Sequence, residues 1–114
     1  MKYALLIYQP KGFEPKSLSP EEHAEIAAAY KAVTGTPNVT PGPPLGLPAT
    51  ALTVQVDANG IRAVASPYMG EEGAVGGYLI FDAETEEEAV TLAARIPAAR
   101  LGGAVEIRRC EVYW

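Results

Sequence analysis

The chain has 114 residues, 48% of them hydrophobic, with 14 acidic against 9 basic side chains and a formal net charge of -5. That length suits one domain, residues 1–114, and excludes two independent cores, while the few scattered basic residues argue against a surface that tracks a phosphate backbone, so no nucleic-acid partner is expected. A single cysteine, Cys110, excludes an intrachain disulfide and a thiolate metal cluster; no run reaches the length of a membrane span, and a soluble, cytoplasmic protein with no membrane partner is expected.

Residues 3–8 are nearly all apolar and suit a strand buried on both faces, with Tyr3, Leu5 and Ile7 pointing one way and Ala4, Leu6 and Tyr8 the other. Such a strand needs two covering layers. Residues 10–18 hold two prolines and a glycine and read as a connection. Ser19, Pro20 and Glu22 then spell a helix start: a hydroxyl cap, a proline where no N–H is needed, and an acid three residues after the cap. Leu18 and His23 are placed to staple it. The face His23, Ile26, Ala27, Tyr30 and Val33 recurs at helical spacing over about 20–34, and Gly35 and Pro37 stop it. Five prolines and three glycines in residues 35–48 predict a stiff, irregular loop that wraps the surface and is placed to line a cleft.

From Thr50 the period changes to two. Leu52, Val54 and Val56 share one face, Asp57-Ala58-Asn59-Gly60 supplies a turn, and residues 61–65 return as the second arm of a hairpin. A loop over 66–73 leads to a strand in which Val75, Gly77, Leu79 and Phe81 alternate with Gly76, Tyr78 and Ile80; the paired glycines mark a bulge or a close approach. A second helix follows, with Thr85 and Glu88 as a capping box, acidic residues at its start, and Ala89, Leu92, Ala93 and Ile96 on its buried face. Pro97 ends it, and Gly102-Gly103 turns the chain into a last strand. There Val105 and Ile107 share one face, whereas Cys110, Val112 and Trp114 share the other, so a bulge near Arg108-Arg109 or a tail that leaves the sheet is expected.

The element order predicts an α+β fold. With the 61–65 arm as an extra hairpin strand, the rest is the split βαββαβ of a ferredoxin-like fold. Helices would cover one sheet face only, and a homodimer pairing two sheets face to face would cover the other.

The ordered set MKYALLIYQ, SLSPEEHAEIAAAY, PATALTV, SPYMGEEGAVGGYLI and ARIPAARLGGAVEIRR resembles the YCII-related family, in particular its Asp-Gly-Pro-Phe subgroup, over nearly the whole chain. The resemblance implies a ferredoxin-like protomer in a dimeric α/β barrel, an architecture that hosts many chemistries and so names none. Laid on this chain from the Gly76-Gly77-Tyr78 anchor, the motif puts Ala65 where the family has its acid, then Ser66, Pro67 and Tyr68. A glutamate that follows the motif falls on Gly70, beside Glu71.

The lone histidine, His23, is the candidate acid/base, and Glu71 is the candidate carboxylate. Tyr68 offers a ring for stacking or a hydroxyl for a ligand, with Met69, Tyr30 and Arg108 as further ligand contacts. Cys110, without a histidine neighbour or helix start, reads as a small buried hydrophobe. One histidine and one cysteine support no metal centre, and the glycines enter a strand and not a phosphate-binding turn; no tightly bound cofactor is expected. Two functions remain: a homodimer that binds a small molecule or a protein partner without catalysis, or a cofactor-independent enzyme acting on a small organic compound through His23. The missing motif acid favours the first.

Overall fold

The structure is a computed structural model, and it describes residues 1–113. Strand β1 (Lys2–Tyr8) is followed by helix α1 (Pro20–Thr34), the short strand β2 (Val39–Pro41), strands β3 (Thr53–Asp57) and β4 (Gly60–Val64), strand β5 (Gly77–Asp82), helix α2 (Glu86–Ala94), the one-turn helix α3 (Pro97–Arg100) and strand β6 (Ala104–Arg109). Four strands form one sheet in the order β2-β5-β1-β6, every neighbouring pair antiparallel. Three helices and this sheet are compatible with a ferredoxin-like fold. In the single chain the sheet is open, with β2 and β6 at its edges, and does not close into a barrel.

The alternation in β1 sets the layers. Tyr3, Leu5 and Ile7 are buried under the helices, and they pair with Phe81, Leu79 and Gly77 on one side and Arg109, Ile107 and Val105 on the other. With Val33 of α1, Ala89, Leu92 and Ala93 of α2, and Ile96 and Ala98 around α3, they make one apolar core. Each fully buried aliphatic side chain in it contributes about 1.5–3 kcal/mol. No polar or charged residue is buried among the described residues.

The proline-rich stretch is not wholly irregular. Val39–Pro41 pairs with Phe81, Ile80 and Leu79 and takes the sheet position expected for the strand after Thr50. Proline lacks the N–H a central strand must donate, but β2 is an edge strand and needs only one partner. Beyond it, the Gly42 N–H donates to the Tyr78 carbonyl at 3.1 Å. A β-carbon on Gly42 would fall 2.7 Å from the Tyr78 ring, which explains the glycine.

The predicted hairpin forms, with Asp57 accepting from the Asn59 N–H at 2.7 Å in its turn. Yet neither arm joins the main sheet: β3 and β4 pair only with each other. The predicted phase slip in the last strand resolves as a departing tail, because the β1–β6 register runs without a bulge to Tyr3–Arg109 and the chain then leaves, with Val112 exposed. Cys110 lies on this tail and is exposed, not buried as its residue type suggested. Trp114 lies outside the described residues.

The starts of α1 and α2 are capped by side chains. In α1 the Ser19 Oγ accepts from the Glu22 N–H at 3.1 Å and the Glu22 carboxylate accepts from the Ser19 N–H at 3.0 Å. In α2 the Thr85 Oγ1 accepts from the Glu88 N–H, but Glu88 reaches past the cap to the Glu84 N–H, so that box is only half formed. Pro97 opens α3 at the position where its missing N–H costs nothing. No helix among the described residues is long and apolar enough to cross a membrane.

Candidate functional site

Four segments meet at the carboxyl end of β1. As β1 runs out, Gln9 and Pro10 lead into a turn in which the Phe13 N–H donates to the Pro10 carbonyl at 3.0 Å and Gly12 takes a positive φ of 72°. The Gly76 N–H donates to the Ile7 carbonyl at 2.7 Å, and the Leu45 N–H donates to the Gly76 carbonyl at 3.4 Å, which ties the proline-rich loop to the start of β5. The paired glycines thus mark a close approach: a β-carbon on Gly76 would lie 3.1 Å from the Gln9 side chain. Across the mouth, Lys11 Nζ meets the Glu72 carboxylate at 2.8 Å.

These segments enclose a cleft of about 790 Å³, lined by Tyr8, Gln9, Phe13, Leu45, Leu47 and Glu71 among others. A volume of about 300–1,000 Å³ with mostly apolar walls and a few polar groups is what small organic ligands occupy. Gln9 Nε2 is held toward the Tyr30 hydroxyl at 3.4 Å, which orients one polar group on the wall. A shallower depression of about 370 Å³ lies at the start of α2, between Phe81, Leu92, Arg95 and the capping residues. Glu88 is already engaged there by the Glu84 N–H, and the depression is wide open.

The candidate residues do not converge. Glu71 lines the larger cleft, and Tyr30 touches it through Gln9. His23 is exposed on the first turn of α1 and lines neither cleft, its N–H bonded to the Ser19 carbonyl as any helical N–H would be. Tyr68 and Met69 project from their loop into solvent. Arg108 lies on the helix-free sheet face and pairs with Glu106 at 3.5 Å. No cluster of three or more histidine, cysteine, aspartate or glutamate side chains that could hold a metal ion occurs among the described residues.

The lining residues that sequence reasoning missed are Tyr8, Gln9 and Phe13. The signal for Phe13 was present: a large aromatic inside a proline- and glycine-rich connection has no strand or helix to bury it, so it must close over something else. The family model described as a YCII-related domain matches residues 1–112 of the chain. No curated protein matches it.

Proposed function

The chain belongs to the YCII-related family, and from that premise we propose that it is a homodimeric protein that binds a small, largely apolar organic molecule, without catalysis, in the cleft at the end of β1. The observation that carries this reading is the composition of that cleft. Tyr8, Phe13, Leu45 and Leu47 give it aromatic and aliphatic walls, Gln9, Lys11, Glu71 and Glu72 are its polar groups, and its acid/base candidate, Glu71, has no histidine beside it. A ligand there is held by shape and desolvation, with Gln9 as an orienting group. A proton shuttle would need His23 within about 3 Å of the reacting atom, and His23 stands on a helix turn outside the cleft.

Within the family the chain fits the Asp-Gly-Pro-Phe subgroup in a form without the motif's acid. Ala65, Ser66 and Tyr68 are exposed, on a loop that follows the hairpin. The dimer is supported by the sheet itself. Its helix-free face carries Leu6, Tyr8 and Ile80, half-buried, and Tyr78, exposed, four large side chains that no helix covers in one chain.

A fragment screen by ligand-observed NMR, followed by turnover assays on the hits, tests the reading. Hits should bind more weakly to Leu45→Trp, whose larger side chain narrows the cleft, while the folded spectrum persists. Binding unchanged in Leu45→Trp would move the site elsewhere, and product formation from a hit would establish an enzyme. Light scattering at micromolar concentration should report twice the chain mass, and a stable monomer would refute the dimer.

A further inference from the structure

The polar groups of the cleft at the end of β1 are unequally engaged. Lys11, Glu71 and Glu72 are the charged residues that line it. Lys11 Nζ sits 2.8 Å from the Glu72 carboxylate, so those two charges cancel across the mouth. The Glu71 carboxylate has no ion pair and no hydrogen-bond partner among the described residues; only its backbone carbonyl is engaged, accepting from the Ala74 N–H at 3.5 Å. The cleft therefore carries one uncompensated negative charge, in a chain whose formal net charge is -5.

Its hydrogen-bond donors are largely committed, while acceptors stand open. Gln9 Nε2 donates to the Tyr30 hydroxyl at 3.4 Å, which leaves the Gln9 side-chain oxygen as the end of the amide without a protein partner. The Phe13 N–H donates to the Pro10 carbonyl at 3.0 Å, and the Leu45 N–H to the Gly76 carbonyl at 3.4 Å. Pro10, Pro15, Pro44 and Pro48 line the wall and bring no N–H at all. Among the side-chain donors of the wall, the Tyr8 hydroxyl is the one without a protein partner, and it accepts as readily as it donates.

We infer that the cleft selects a cation: a small molecule with an aromatic or aliphatic body and one ammonium group, the ammonium paired with the Glu71 carboxylate and the body against Phe13, Leu45 and Leu47. The inference rests on the ligand cleft proposed above and names the class of molecule that this cleft takes. A neutral molecule gains the apolar contacts alone. An anion would face Glu71 and would have to draw Lys11 away from Glu72, trading one ion pair for another and leaving a second carboxylate bare. An ammonium gains the apolar contacts and a counterion together, and it supplies the donors that the wall lacks. Glu71 is exposed, next in sequence to the pair at the mouth, so the gain is that of a partly hydrated ion pair.

Proton–nitrogen correlation NMR of the full chain, titrated at neutral pH and low salt with three probes that share one phenyl body, tests the selection. The probes are phenethylamine, phenethyl alcohol and hydrocinnamate. The amides of Gln9, Phe13 and Leu45 should shift, and phenethylamine should bind about three- to fivefold more tightly than the alcohol, the worth of one largely exposed ion pair. Glu71→Gln should bring the amine down to the affinity of the alcohol. Lys11→Ala, which frees the Glu72 carboxylate, should raise the affinity of the amine by a similar factor and lower that of hydrocinnamate, whereas a merely structural effect would move every probe in the same direction. Equal affinities for amine and alcohol at the cleft amides, or a preference for hydrocinnamate, would overturn the selection and leave the cleft standing. A preference for the amine that Glu71→Gln does not reduce would overturn Glu71 as its partner. Shifts confined to amides outside the cleft, or none with any probe, would overturn the cleft and the inference together.

Discussion

The backbone carbonyl of Tyr8 occupies the space where a β-carbon on Gly103 would stand, and the Ala98 carbonyl lies 3.0 Å from the same point. The turn between α3 and β6 therefore packs backbone against backbone beneath the cleft, with the Gly103 N–H bonded to the Ala98 carbonyl at 2.9 Å. Gly103→Ala forces these segments apart. It should cost about 1–3 kcal/mol or more in urea unfolding, and because Tyr8 and Gly103 both line the cleft, ligand affinity should fall with it.

Leu5 is fully buried at the centre of β1, between Leu79 and Ile107. Leu5→Ala leaves a void that the neighbouring strands cannot close, since both are held to β1 along six paired residues each. A loss of about 2–5 kcal/mol in unfolding free energy is expected, measured by chemical denaturation with the slope unchanged.

The reciprocal bonds between Ser19 and Glu22 hold the start of α1 and hold the Glu22 carboxyl below the usual glutamate range, chiefly through the bond from the Ser19 backbone N–H and then through the Ser19 side chain. Ser19→Ala should cost about 1 kcal/mol. The sign of the pH dependence follows from the lowered value: the folded state binds this proton less readily than the unfolded chain, so the contribution is complete above the unfolded-state pKa and is lost as pH falls through the folded one. Carbon-detected NMR titration of Glu22 should give a midpoint below the usual glutamate range, and Ser19→Ala, which removes the hydroxyl and keeps the backbone N–H, should raise it only in part.

Lys11 and Glu72 make a close ion pair, but both side chains are mostly in solvent, at 85% and 70% exposure. Such a pair gains little against screening and side-chain entropy. Lys11→Ala should shift the unfolding free energy by no more than about 0.5 kcal/mol. A larger loss in a denaturation series would mean that the two loops at the cleft mouth depend on each other for their structure.

Much of the local structure was readable in advance because its causes are local. Ser19-Pro20 and Glu22 announce a helix start through hydrogen bonds that span three residues, the alternation of Tyr3, Leu5 and Ile7 assigns a face, and Asp57-Ala58-Asn59-Gly60 closes a hairpin within four residues. The proline-rich loop was also legible as the lining of a cleft, which Glu71 shares, because loops rich in proline and glycine stay at the surface.

What the tertiary structure decided was pairing across distance. Val39–Pro41 looked like the interior of an irregular loop, and only the free edge of β5 makes a strand of it, where a proline costs no ladder bond. The hairpin's alternation said that one side is apolar but not whether that side would meet its own sheet, and in one chain it does not. His23 recurs at helical spacing with Tyr30 and Val33, yet only Val33 is buried, since the first turns of α1 stand clear of the sheet. Sequence periodicity alone determined which residues share a face; what each face meets depends on contacts between residues far apart in the chain, and those place Tyr8, Phe13, Leu45 and Glu71 around one cleft and His23 outside it.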